Sequence, residues 1–188
     1  NQKLILGVMG GLALIIFAVF AYNNFYKEPR NATALEQMRQ AESKFALDSF
    51  AVALDNPGGG FPGFLDIIDN YGGTDAGNLA NYYAGVCYLH LGQYDAAIEY
   101  LNYYSADGQI TPSTKNGTLG DAYAEKNDFA KALKYYKKAV NATDNEFLAP
   151  YYLFKSGLLS EKQGDAASAK SFYERIKNDY PNSSQARN

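Results

Sequence analysis

Cysteine and histidine each occur once in these 188 residues, and tryptophan is missing altogether. The lone cysteine, Cys87, excludes a disulfide within the chain, and its place between Val86 and Tyr88 in a predicted helix makes it a small buried apolar residue. The lone histidine, His90, excludes a histidine cluster for a metal and reads as a helix-surface residue rather than the base of a Ser-His-Asp triad. Excess positive charge is missing too. A formal net charge of -3 and a pI near 5.2 argue against nucleic acid, whose phosphates demand a basic footprint. Lys131, Lys134, Lys137 and Lys138 are spaced by three and four on one predicted helix, the pattern of an ordinary solvated face. The run from Gly58 to Gly63 matches GxGxxG in spacing, but no strand precedes it and Pro62 interrupts the helix start that phosphate binding requires. No cofactor and no metal site are expected.

What is present is a stretch, Tyr82 to Leu101, that recurs twice further on. Gly85, Gly92 and Ala97 are followed at the same internal spacing by Gly120, Asn127 and Ala132, and again by Gly157, Gly164 and Ala169. The repeat period is 35 and then 37 residues. Each member has a task in a pair of antiparallel helices. Gly85, Gly120 and Gly157 lie where two helices must approach closely, against a helix-interior cost of roughly 1 kcal/mol. Gly92, Asn127 and Gly164 suit the left-handed residue that ends a first helix. Tyr94 or Phe129 then starts the second helix, in which Ala97, Ala132 and Ala169 permit close contact and Leu101, Tyr136 and Tyr173 fill the next gap. Tyr180-Pro181 closes the third copy.

Over Asn78 to Pro181 this pattern resembles tetratricopeptide repeats, which have a period of about 34 residues. It departs from them in having Asn81, Asn116 and Leu153 where a tryptophan is usual, and Ala166 where an aromatic is usual. Ahead of these copies, Ala32 to Leu54 reads as one helix, stopped by Asn56-Pro57-Gly58-Gly59-Gly60, and Pro62 to Tyr71 as a second, short one. This pair is taken as a degenerate repeat, because Ile67-Ile68-Asp69-Asn70-Tyr71 mirrors Ile176-Lys177-Asn178-Asp179-Tyr180. Four helix pairs are therefore expected, with more chain to follow as a polar cap.

Leu4 to Tyr22 holds 19 residues without a charge, enough to span roughly 28 Å as a helix. A permanent anchor and a cleaved signal peptide, with Val19-Phe20-Ala21 as a small-residue cleavage site, are the competing readings, and the length of the run favours the anchor. Without a neighbouring cysteine, a bacterial lipoprotein is not expected. Gly7 and Gly11 form a GxxxG that lets another transmembrane helix approach closely. Tyr22, Asn23, Asn24 and Tyr26 make a polar and aromatic interface, followed by Lys27 and Arg30. The expected fold is all-α, a tetratricopeptide-repeat-like solenoid over residues 31–188 preceded by one N-terminal transmembrane helix and its juxtamembrane segment over residues 1–30.

Tyrosine is abundant, 17 residues, with adjacent pairs at Tyr82-Tyr83, Tyr103-Tyr104, Tyr135-Tyr136 and Tyr151-Tyr152. On a helix neighbours point about 100° apart, so one of each pair can fill the core while the other borders a groove or the solvent. Asp121 and Glu125 share a helical face, and without a pocket partner they read as solvated charges rather than an acid-base pair. Sequons at Asn31, Asn116, Asn141 and Asn182 are too common a tripeptide to imply glycosylation.

In tetratricopeptide arrays the first helix of each pair lines the concave face. Projected onto this chain, that face offers Tyr82, Val86 and His90, then Asp121 and Glu125, then Tyr151, Phe154 and Leu158: two apolar patches flanking an acidic one, suited to a polypeptide segment. No catalytic set is found, so the chain is read as non-catalytic. The whole layout, and the run from Phe64 to Leu101 in particular, resembles the YfgM-like family of membrane-anchored repeat proteins in its Bacteroidetes-type form. That resemblance implies an inner-membrane protein with a cytoplasmic amino terminus and a periplasmic repeat domain. It also implies an accessory role at the SecYEG translocon beside a PpiD-like membrane-anchored chaperone, in contact with that chaperone or with emerging polypeptide. An envelope-assembly scaffold linking other membrane or cell-wall complexes is the alternative.

Overall fold

The computed structural model describes residues 2–56 and 58–187, with side chains from Gly7 onward. Asn1, Pro57 and Asn188 lie outside the described residues, and with them part of the expected stop at Asn56-Pro57-Gly58 and of the expected placement of the amino terminus. The helices are α1 (Gln2–Tyr22), α2 (Glu28–Ala46), α3 (Phe50–Leu54), α4 (Phe64–Tyr71), α5 (Asp75–His90), α6 (Tyr94–Tyr103), α7 (Thr111–Glu125), α8 (Phe129–Asn141), α9 (Leu148–Lys162) and α10 (Ala166–Asp179). A π-helical turn, Asn23–Lys27, joins α1 to α2, and a short 3-10 turn covers Gln185–Arg187. No strand occurs among the described residues, so the all-helical repeat architecture expected from the spacing is the one observed. The chain divides into two compact units between Ala80 and Asn81.

In the first unit α1 is long and apolar enough to cross a membrane. Its side chains from Gly7 to Phe20 are all exposed, Leu14 to 72% and Phe17 to 68%, so no described part of the chain covers it. The helical run continues unbroken from Gly7 to Ala46. Beyond the π-helical turn, α2 buries Ala34, Met38 and Ala41 among Ala53, Leu54, Phe64 and Ile67. Phe45 meets Phe50 and Phe64 edge-on at 5.4 and 6.2 Å.

The single helix expected over Ala32 to Leu54 is broken at Leu47–Ser49. Asp48 takes a left-handed φ of 54°, its N–H donates to Phe45 O at 3.0 Å, and the Ser49 N–H donates to Lys44 O at 2.9 Å. This is the helix-ending pattern in which two orphan carbonyls are satisfied by one left-handed residue. Ala41, Asp48 and Ala53 therefore keep the same spacing as Gly85, Gly92 and Ala97. The first pair is in phase with the others: α2 is its first helix, and its second helix is split into α3 and α4 by the glycine-rich insertion.

The three copies become α5/α6, α7/α8 and α9/α10, which make up the second unit from Asn81 in α5 onward. A side chain added at Gly85 would place its Cβ 2.6 Å from Leu101 Cγ, at Gly120 2.5 Å from Tyr136 Cδ1, and at Gly157 2.3 Å from Tyr173 Cε1. These are the residues expected to fill the gaps opposite those glycines. The caps are equally regular. Gly92, Asn127 and Gly164 have φ of 74°, 59° and 76°, and each donates to the carbonyl three residues back, while the next residue donates to the carbonyl five back, at 2.9 to 3.1 Å. Asp128 and Asp165 then cap α8 and α10 by accepting from the N–H groups of Lys131 and Ser168. Tyrosine pairs divide as expected at three sites: Tyr104, Tyr136 and Tyr152 are buried, while Tyr103, Tyr135 and Tyr151 are more accessible. Cys87 is fully buried, and burial pushes its thiol up to about 12.

Candidate functional site

Asp121 projects from α7 one residue after the tight glycine contact, so its position is tied to the α7–α8 packing. Its Oδ1 accepts a hydrogen bond from the Tyr136 hydroxyl on α8 and another from Lys155 Nζ on α9, both at 2.7 Å. The Lys155 ammonium also sits 4.9 Å from the centre of the Tyr151 ring and 6.0 Å from that of Tyr136. Tyr152, buried next to Tyr151, stacks on Tyr136 at 6.2 Å and lies over Gly117, where an added Cβ would come within 1.9 Å of its ring. One charge pair thus ties the second repeat to the third.

Around this pair the described residues of the second unit enclose a cleft of about 780 Å³. Leu89, His90 and Tyr94 contribute from the α5–α6 turn, Ala124 and Glu125 from the end of α7, and Leu158 and Lys162 from α9. Tyr151 and Leu158 are 40% and 47% exposed, so apolar surface is open to a ligand at this place. Lys162 lies over the Phe129 ring at 4.9 Å, and the Tyr94 hydroxyl is 3.5 Å from Glu125.

The electrostatics favour a fixed wall over proton exchange. Burial raises the Tyr136 phenol far above its ordinary value, with the Asp121 charge adding to it, so its hydroxyl stays a donor. Burial lowers the Lys155 pKa, but attraction to Asp121 and the hydrogen bond outweigh burial and the net shift is upward. Lys155 therefore remains an ammonium at neutral pH.

Of the residues projected onto the concave face, His90, Asp121, Glu125, Tyr151 and Leu158 line this cleft together. Tyr82 is half-buried with its ring 5.3 Å from Tyr104, and Val86 is half-buried along α5; neither lines it. Phe154 turns toward Tyr173, 6.0 Å away, and lines a different hollow of about 450 Å³ with Ile176 and Ala186. Gly7 and Gly11 have no heavy atom within 4 Å of an added Cβ. Among the described residues no group of three metal-ligating side chains occurs.

Lys155, Tyr136 and Tyr94 also line the cleft, although the projection of first-helix faces does not include them. A signal existed for the first, since Tyr151, Lys155 and Leu158 are spaced as one helical face, and for the second, since Tyr136 is the residue opposite Gly120. Asp121, read as a solvated charge, is half-buried and compensated.

A family model described as tetratricopeptide repeat matches residues 79–105 and 151–183, and a second model of the same description matches 116–146. No curated protein matches the chain. Among solved structures, "MamA 41-end from Desulfovibrio magneticus RS-1" is similar, with a TM-score of 0.62 at 17% identity, over 77% of this chain and 74% of that one. At that identity the likeness shows the fold. The matched segments are the helix pairs α5/α6, α7/α8 and α9/α10, each with the same glycine contact and the same left-handed cap. This chain thus carries three tetratricopeptide repeats between residues 79 and 183, in an all-helical solenoid of that type.

Proposed function

We infer that this protein is a membrane-anchored, non-catalytic scaffold that holds a polypeptide segment in the cleft between its repeats, as an accessory subunit of the Sec translocon. The observation that carries the reading is the cleft: exposed Tyr151 and Leu158 beside a carboxylate that is already compensated by Lys155. Tetratricopeptide repeats serve as protein-interaction scaffolds, and a rigid wall with open aromatic surface suits a peptide better than a reaction. Because Asp121 is paired, attraction for a basic ligand residue falls to Glu125, and aromatic contacts dominate affinity over exposed ion pairs worth about 1 kcal/mol or less. Tyr82 and Val86 extend the contact surface along α5 beyond the cleft, and Phe154 offers a separate apolar hollow with Ile176 and Ala186 for a further part of the segment.

Residues 1–30 are the anchor and residues 31–188 the repeat domain. The amino terminus lies in the cytoplasm and the repeats in the periplasm of an inner membrane, with SecYEG and a PpiD-like chaperone as partners; the supports are the exposed apolar α1 and the resemblance to YfgM-like proteins. Gly7 and Gly11 face a partner's transmembrane helix. Co-purification in mild detergent tests the assignment. Translocon subunits and a membrane-anchored chaperone are expected with the full chain, and Tyr151→Ser with Leu158→Ser is expected to lose the chaperone or nascent chains while keeping the membrane partners. Recovery of cell-wall or other envelope complexes in their place would overturn the translocon assignment in favour of an envelope scaffold.

A further inference from the structure

The π-helical turn at Asn23–Lys27 has a geometric consequence at the end of the apolar span. In a regular helix Lys27, five residues after Tyr22, would be turned about 140° away from it. A wider i→i+5 turn brings it back toward the same face. Tyr22, Tyr26, Lys27 and Arg30 accordingly line one side of a cavity of about 320 Å³, and Asp69 and Thr74, from α4 and the turn after it, line the other.

The walls are held in place from within the first unit. The Arg30 guanidinium lies 5.3 Å from the ring centres of both Tyr26 and Tyr71 and donates to Asn70 O, which uses one of its five N–H groups. Lys27 Nζ pairs with Asp75 at 2.7 Å, which uses one of three. Donors of both cations remain for a further acceptor. The depth of the site is set by the helical rise: Lys27 is about 7 Å past Tyr22 along the axis, within a headgroup layer of roughly 5 to 8 Å on each side of the hydrocarbon.

We propose that this cavity binds the headgroup of an aminophospholipid, with the phosphate at Lys27 and Arg30 and the primary ammonium at Asp69. The proposal rests on the reading that α1 spans a membrane. Two cations and one carboxylate facing the same space match the two charges of such a headgroup, and neither a purely anionic nor a choline headgroup uses all three: the first leaves Asp69 unpaired, and the second offers it no N–H. Exposed Tyr22, Phe25 and Tyr26 stand at the same level, where amphipathic rings border the headgroups. A lipid held here would fix the start of α2, and with it the first repeat, relative to the bilayer surface.

The test uses the full chain in nanodiscs made from an equimolar mixture of phosphatidylethanolamine, phosphatidylglycerol and phosphatidylcholine, with retained lipids weighed by native mass spectrometry. One phosphatidylethanolamine per chain is expected, enriched about fivefold over the mixture. Lys27→Gln should abolish the adduct, and Asp69→Asn should keep an adduct but remove the preference for ethanolamine over glycerol; both variants should keep the wild-type helical signal by circular dichroism. A chain that enters nanodiscs without lipid enrichment, or whose enrichment survives Lys27→Gln, overturns the headgroup site alone. A chain that does not enter nanodiscs overturns the anchor and the site together. Glycerophosphoethanolamine, the headgroup without tails, should not displace the lipid; displacement at comparable concentration would make this a site for soluble phosphodiesters and overturn the lipid assignment.

Discussion

Gly120→Leu should destabilise the protein by about 1 to 3 kcal/mol and lower its melting temperature by roughly 2 to 12 °C. The Cβ alone would sit 2.5 Å from Tyr136 Cδ1 and Cε1. That ring cannot swing aside cheaply. It is 4% exposed, stacked on Tyr152, and tied through its hydroxyl to Asp121. Relief would require α7 and α8 to separate, which disturbs the cap at Asn127 and the cleft wall at once. Gly60→Ala is the matched control, since its Cβ meets nothing within 4 Å and the backbone is not left-handed. Thermal melts of the full chain in detergent decide the matter, and an unchanged melting temperature for Gly120→Leu would remove the packing role assigned to this position.

Lys155→Met should cost about 1 to 3 kcal/mol, because it leaves a half-buried Asp121 with only the Tyr136 hydroxyl as a partner. Methionine keeps most of the aliphatic stem, so the loss is that of the charge. Asp121→Asn in the same chain should recover part of the stability, as the unpaired carboxylate is then gone. The pH dependence has a defined sign. The Lys155 pKa is raised in the folded state, so its contribution is present below the unfolded value of about 10.4 and disappears as pH rises through the folded value. Urea midpoints of wild type and Lys155→Met should therefore differ by a constant amount from pH 7 to about pH 9 and converge only above about pH 10.5. A gap that closes already between pH 7 and 9 would show that Lys155 is not held as an ammonium by Asp121.

The features legible in the sequence are those that a single residue enforces locally. A glycine at a close helix contact and a glycine or asparagine in a left-handed cap announce themselves by identity, and their spacing recurs, so α5 to α10 and their pairing follow from Gly85, Gly92 and their two sets of counterparts. The first repeat is less legible because its signals are weaker versions of the same ones. Ala41 replaces the glycine, Asp48 takes the left-handed position, and the insertion after Leu54 splits the second helix, so only the spacing remains. Gly117 escapes the pattern because its partner, Tyr152, belongs to the next repeat, out of phase with the three aligned glycines. The Asp121 to Lys155 pair is hidden for a similar reason. It links residues 34 apart across two repeats, and charge periodicity within one helix carries no information about which neighbour faces it. Phe154 shows the limit of projecting a helical face, since the residue is on the expected helix but turns toward Tyr173 in its own pair.

The central claim, that the cleft between the repeats holds a polypeptide, is tested most directly by photocrosslinking in living cells from a photoreactive amino acid at Leu158, with Lys134 on the exposed face of α8 as the comparison site. Leu158 is 47% exposed and lines the cleft, so it should yield adducts with protein, whereas Lys134 should yield few. Adducts from Lys134 with none from Leu158 would contradict the account.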